Sequence, residues 1–150
     1  MRVVLDSNVL LVAIGKRSRF RPIWDSFVDE EYKLVVSEEI LHEYEEILNE
    51  HSAPGAADWL LEILVESPEV IYQRIYYSWN AIAKDPDDNK FFDVAIAGNA
   101  DYLVTNDSHF NEAKNIPFPQ VKIITAEEFL GVIGAGGPYQ SIQAAIDDPF

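Results

Sequence analysis

Short, β-branched apolar runs recur along this chain, and stretches with helical spacing separate them. Residues 2–5, 34–36, 102–105 and 121–125 read as strands with little polarity on either face. Strands buried on both faces, with helical segments between them, belong in a parallel sheet covered on two sides. The expected architecture is therefore α/β, a three-layer sandwich with a central, mostly parallel sheet flanked by helices. A sheet of that kind opens a crevice beyond the carboxyl ends of its strands, where ligands bind.

The helical segments carry their own start and stop signals. Leu10 to Ile14 is apolar and begins a helix that Gly15 interrupts. Pro22 suits a helix start before Ile23, Trp24, Phe27 and Val28. Ser37 offers an N-cap for the stripe Ile40, Leu41, Tyr44, Ile47 and Leu48, which Pro54-Gly55 ends. A further helix runs through Trp59, Leu60, Ile63 and Leu64 towards Pro68. The aromatic stretch 70–79 fits helix and strand equally, since Ile71 and Ile75 suit either. Phe91, Phe92, Ala95 and Ile96 form another helical stripe, and a last helix starts at Ala126. Gly131, Gly134, Gly136 and Gly137 predict a hinge. The expected division is a domain over 1–130 and a glycine-containing tail over 131–150, with 139–146 a short helix or a loose end.

Acidic residues stand where the crevice should be. Asp6 closes the first strand, and Asp107 follows 103–106 in the same relative position on another. Between them lie the helix start 37–43 and the turn Asp85-Pro86-Asp87-Asp88-Asn89. Carboxylates gathered in one crevice repel one another unless a cation sits between them. The simplest reading is a divalent-metal site acting on phosphates. Each acid also has a structural explanation. Asp6 and Asp107 suit Asx turns or caps. Asp85 as N-cap, Pro86 at the first helical position and acids in the first turn suit the helix dipole. Asp88 differs, because it heads the apolar stripe of the following helix, where a carboxylate needs a partner. Asp93, on a neighbouring face, is a reserve ligand. Spacing cannot choose between Glu43 and Glu45, which border opposite edges of their helix's stripe. His42, His51 and His109 lack metal-ligand spacing and read as surface residues.

Composition narrows the function classes. At 150 residues and 48% hydrophobic, the chain is long enough and apolar enough to bury a core. The absence of cysteine excludes disulfides, thiolate zinc sites and cysteine nucleophiles. No apolar run approaches membrane-spanning length, so a cytoplasmic protein without a membrane partner is expected. A net charge of −15 should repel a polyanion such as RNA. Divalent ions at the site would offset part of that repulsion. The basic residues are also clustered, with Lys16, Arg17, Arg19 and Arg21 in one short segment that is either a phosphate grip or a solvated loop.

Taken together, 4–10, 36–44, 85–91 and 100–107 resemble the PIN domain family, in particular the toxin components of toxin–antitoxin pairs. The resemblance covers about residues 1 to 130 in order and spacing. It implies a metal-dependent ribonuclease acting on single-stranded RNA, with Mg²⁺ or Mn²⁺ as cofactor. By position it makes Asp6, Glu43, Asp88 and Asp107 the acidic residues, with Asn8 and Thr105 as polar supports. Lys16, Arg17, Arg19 and Arg21 would grip the substrate. Many PIN domains place a carboxylate where this chain has Asn89, which leaves Asp88 or Asp93 as the third ligand. An antitoxin protein and a second copy of the chain in a homodimer are the partners in view. Two other classes stay open: a phosphatase or phosphotransferase with Asp6 as nucleophile, and a non-catalytic PIN-like binding module. The usual second Asp of the former class is Asn8 here.

Overall fold

The computed structural model describes residues 1–134. The segment 139–146, and most of the tail expected over 131–150, lie outside the described residues. Five strands form one sheet in the order β3-β2-β1-β4-β5, and every pairing is parallel. They are β1 (Arg2–Leu5), β2 (Lys33–Val36), β3 (Val70–Tyr72), β4 (Tyr102–Val104) and β5 (Lys122–Ile124). After its first residue, each of β1 and β2 is buried at every position. Both faces of the sheet centre are therefore covered, as β-branched apolar runs require.

Seven helices complete the described fold: α1 (Ser7–Ala13), α2 (Arg21–Val28), α3 (Glu38–His51), α4 (Ala56–Glu66), α5 (Asn89–Ala97), α6 (Asn111–Lys114) and α7 (Ala126–Val132). Helix α1 packs on α2 and α3, α3 packs on α4, and α5 lies on β1, β2 and β4. Ser37 caps α3 by accepting the Ile40 N–H, and Pro22 stands in the first turn of α2. Thr125 and Glu128 close a reciprocal capping box on α7, which runs on through Gly131. Phe91 and Phe92 of α5 are fully buried, each stabilising the fold by roughly 1.5–3 kcal/mol of apolar burial. Gly98 ends α5 so close to the sheet that an added Cβ would lie 2.6 Å from Val35 Cγ1. That close approach seats α5 on the sheet with its N-terminus at the carboxyl edge. The ambiguous stretch 70–79 becomes a three-residue edge strand, β3, followed by irregular chain.

Candidate metal centre

The strand order makes β1 and β4 neighbours, so their carboxyl ends deliver Asp6 and Asp107 side by side. The Asp6 N–H donates to the Val104 carbonyl at 3.0 Å, which fixes the two strand ends together. Thr105 couples the two acids. Its hydroxyl donates to Asp6 Oδ2 at 2.8 Å and accepts the Asp107 N–H at 3.0 Å. Asp6 stands at the N-cap position of α1, yet its side chain makes no capping hydrogen bond. Only 6% of Asp6 is exposed. Burial pushes its pKa from 3.8 to about 6; the Thr105 bond opposes the rise, and the charges of Glu43 and Asp107 add to it.

Helix α3 brings Glu43 over this pair, and Tyr44 next to it ties the helix to β1 by donating to the Leu5 carbonyl at 2.6 Å. Both Glu43 oxygens are engaged. Ser7 Oγ donates to Oε2 at 2.5 Å and Lys90 Nζ to Oε1 at 2.9 Å. Among the described residues Glu45 makes no such contact, so it is Glu43 that the structure brings to the pair. Burial alone would lower the Lys90 pKa, but the hydrogen bond and charge of Glu43 outweigh it and the ammonium is held.

The 3₁₀ turn Pro86–Asp88 at the start of α5 carries the remaining acids. Burial first, then the charges of Asp85, Asp107 and Asp6, push the Asp88 pKa well above the usual carboxylate range. Asp85 occupies the N-cap position but makes no capping bond, so capping does not account for it. It faces Asp88, Asp107 and His109, and one donor atom from each of these four lies within 4.8 Å of the others. His109 Nδ1 is 3.3 Å from Asp107 Oδ1, 3.6 Å from Asp85 Oδ2 and 3.9 Å from Asp88 Oδ2. His109 is half-exposed, as a surface residue would be, yet the Asx turn at Asp107, which accepts the His109 N–H at 2.9 Å, folds the ring back towards the acids.

Other expected residues fall elsewhere. Asp93 is buried outside the cluster and accepts the Trp79 N–H at 3.1 Å, a structural duty. Asn89 clamps the chain before the acidic turn, accepting the Ile82 N–H at 2.8 Å and donating to its carbonyl at 3.1 Å. A carboxylate cannot donate, so the amide at this position has its own structural reason. Asn8 is exposed in the first turn of α1. In the basic segment, Arg19 pairs with Glu127 at the start of α7. Arg21 pairs with Asp25 at 3.0 Å and donates to the Ile14 carbonyl at 2.7 Å, while Lys16 and Arg17 are exposed. Since α7 follows β5 directly, Arg19 sits at the same edge of the sheet as the acids.

Ser7, Lys90, Asp85 and His109 were not singled out by sequence as site residues. Lys90 had a signal: a cation in a helix's first turn opposes the dipole and calls for an anionic partner. The residues fit a divalent cation. Two buried polar atoms, Asp88 Oδ2 and His109 Nδ1, have no hydrogen-bond partner among the described residues. Oxygen-rich clusters of this kind suit hard divalent ions.

The parallel five-stranded sheet agrees with what known proteins show. The family model described as "PIN domain" matches residues 2–109, and the chain belongs to that family. Among solved structures, the crystal structure of VapBC2 from Rickettsia felis bound to a DNA fragment from their promoter is similar. The match has a TM-score of 0.58 and 20% identity, covering 83% of this chain and 98% of that one. At that identity the likeness shows the fold. No curated protein matches this chain. Among the described residues no helix is long and apolar enough to cross a membrane.

Proposed function

We propose that the protein is a divalent-metal-dependent ribonuclease that hydrolyses phosphodiester bonds of single-stranded RNA, and that it is the toxin of a toxin–antitoxin pair. One observation carries the reading: Asp6, Asp88 and Asp107 converge at the carboxyl edge, and burial together with the neighbouring acidic charges holds back the ionisation of Asp6 and Asp88. Such a cluster costs stability unless a cation compensates it. Family membership supports the nuclease class, and the VapBC2 likeness supports an antitoxin partner. RNA as the substrate and a cytoplasmic setting follow from the same family reading.

Asp88 and Asp107 would hold Mg²⁺ or Mn²⁺, with Asp85 beside them and Asp6 completing the negative field. A bound divalent ion supplies neutralisation of the scissile phosphate and lowers the pKa of water. Thr105 orients Asp6 and Asp107 through its two hydrogen bonds. Ser7 and Lys90 hold the Glu43 carboxylate in place, where it would accept a proton from, or orient, the attacking water. Lys90 is placed to meet a phosphate oxygen when it leaves Glu43. Arg19 and its neighbours in 16–21 steer the RNA backbone towards the edge. An Asp6 nucleophile is the weaker reading, since that carboxylate is almost fully buried.

The test is cleavage of an unstructured RNA oligonucleotide by the purified protein with Mn²⁺. Asp6→Asn should abolish cleavage while leaving the circular dichroism spectrum intact. Undiminished cleavage by that variant would rule out this site. Trapping a covalent aspartyl-phosphate would favour the nucleophile reading instead.

A further inference from the structure

We infer that His109 supplies a nitrogen ligand to the metal centre, so that the site holds a first-row transition ion such as Mn²⁺ in preference to Mg²⁺. The inference rests on the metal-dependent reading above and goes beyond it by naming the ion class and the residue that selects it.

The geometry comes first. Ligands bound at about 2.1–2.2 Å lie about 3.0 Å apart when adjacent and about 4.3 Å apart when opposite. The three separations from His109 Nδ1, at 3.3, 3.6 and 3.9 Å, fall in that interval. The full set of four donor atoms spans no more than 4.8 Å. A small inward adjustment of the half-exposed imidazole would complete the shell.

The hydrogen-bond inventory points the same way. His109 Nδ1 makes no hydrogen bond to any of the three carboxylates, although all three are close and the atom is buried. Asp88 Oδ2, facing it, is likewise without a hydrogen bond. Two buried, unpartnered donor atoms 3.9 Å apart suit a shared cation. The backbone fixes the arrangement, because Asp107 accepts the His109 N–H and so sets the turn that presents the ring.

Chemistry then selects the ion. Carboxylates suit Mg²⁺ and Mn²⁺ alike, whereas imidazole discriminates against Mg²⁺, which binds oxygen and keeps its waters. Replacing one oxygen by nitrogen therefore raises the transition-ion affinity relative to Mg²⁺. In this account His109 is a selectivity determinant, and the carboxylates supply most of the charge.

The experiment titrates metal-free protein with Mn²⁺ and separately with Mg²⁺, by calorimetry, in the parent and in His109→Gln. Pulsed electron paramagnetic resonance of the Mn²⁺-loaded parent supplies a readout independent of the variant's folding. The parent should bind Mn²⁺ far more tightly than Mg²⁺ and show ¹⁴N hyperfine coupling from a directly bound imidazole. His109→Gln should weaken Mn²⁺ binding on the order of tenfold or more, leave Mg²⁺ binding nearly unchanged, and abolish the coupling. Absence of ¹⁴N coupling, with equal metal preference in parent and variant, would overturn the inference and leave the carboxylate site standing. Tighter binding of both ions by the variant would show His109 to be a counter-ion, and would overturn it too. Binding of neither ion by the parent would overturn the metal-dependent reading itself.

Discussion

Replacing Asp6 with Asn should stabilise the metal-free protein, even though it removes a residue of the proposed site. The carboxyl of Asp6 titrates at about 6 in the folded chain, against 3.8 as a free side chain, chiefly because it is buried. Between those two values the folded state binds more protons than the unfolded state. Stability therefore falls as pH rises through that window, and the loss is complete above it. At neutral pH the ionised Asp6 costs about 3 kcal/mol. Asn has nearly the same shape, carries no charge, and its Oδ1 can still accept the Thr105 hydroxyl. In chelator at pH 7.5, Asp6→Asn should thus gain up to about 3 kcal/mol, or roughly 6–12 °C in melting temperature for a chain of this size. The gain should shrink to about 1 kcal/mol at pH 4.5, where the parent's Asp6 is itself protonated in the fold. Urea unfolding of both proteins at the two pH values, in chelator, measures it. A variant no more stable than the parent at pH 7.5, or a gain that grows towards acid, would mean that Asp6 is an ordinary turn-forming carboxylate.

Other expectations follow from the same contacts. Thr105→Val removes the hydroxyl that serves both Asp6 and Asp107, and should lower stability by about 1–3 kcal/mol. It should also move the acid limb of the pH–rate profile upward, as Asp6 loses the bond that lowers its pKa. Asp93→Asn keeps an acceptor for the Trp79 N–H and should cleave RNA at close to the parent rate, which a rate measurement under saturating Mn²⁺ would check. A severe loss there would return Asp93 to the ligand set. Neutralising Arg17 and Arg19 together should weaken RNA binding and flatten the plot of log affinity against log salt by about 1.4, for two phosphate contacts on a single strand. An unchanged slope would show that the segment does not touch the backbone.

Much of the fold was legible because burial on both faces leaves a plain mark. The runs that became β1, β2, β4 and β5 are apolar throughout, and Ser37 and Pro22 announced their helices. The stretch 70–79 was not, since its aromatic residues suit either period and only three residues pair as an edge strand. The site was legible in part. Asp6 and Asp107 stand at strand ends, which sequence locates well; Asp107 belongs to the donor cluster, and Asp6 is joined to it through Thr105. Asp85 was hidden by an adequate local explanation, helix capping, which its side chain does not in fact serve. His109 was hidden because its approach to Asp85 and Asp88 depends on a turn and on the seating of α5, neither of which has a periodic signature. Asp93 shared a helix with Asp88, but the loop at Trp79 claims it.

If one set of carboxylates both holds the ion and serves RNA cleavage, a single Mn²⁺ titration of the metal-free protein should reveal both roles at once. Melting temperature and the rate of cleavage of an unstructured RNA should rise together and saturate at the same ion concentration, with a stability gain of about 2.7 kcal/mol at a hundredfold excess over Kd. Neither should respond in an Asp6→Asn, Asp107→Asn double variant. Cleavage that persists in chelator or in the double variant, or an ion that stabilises the fold without any cleavage appearing, would contradict the account.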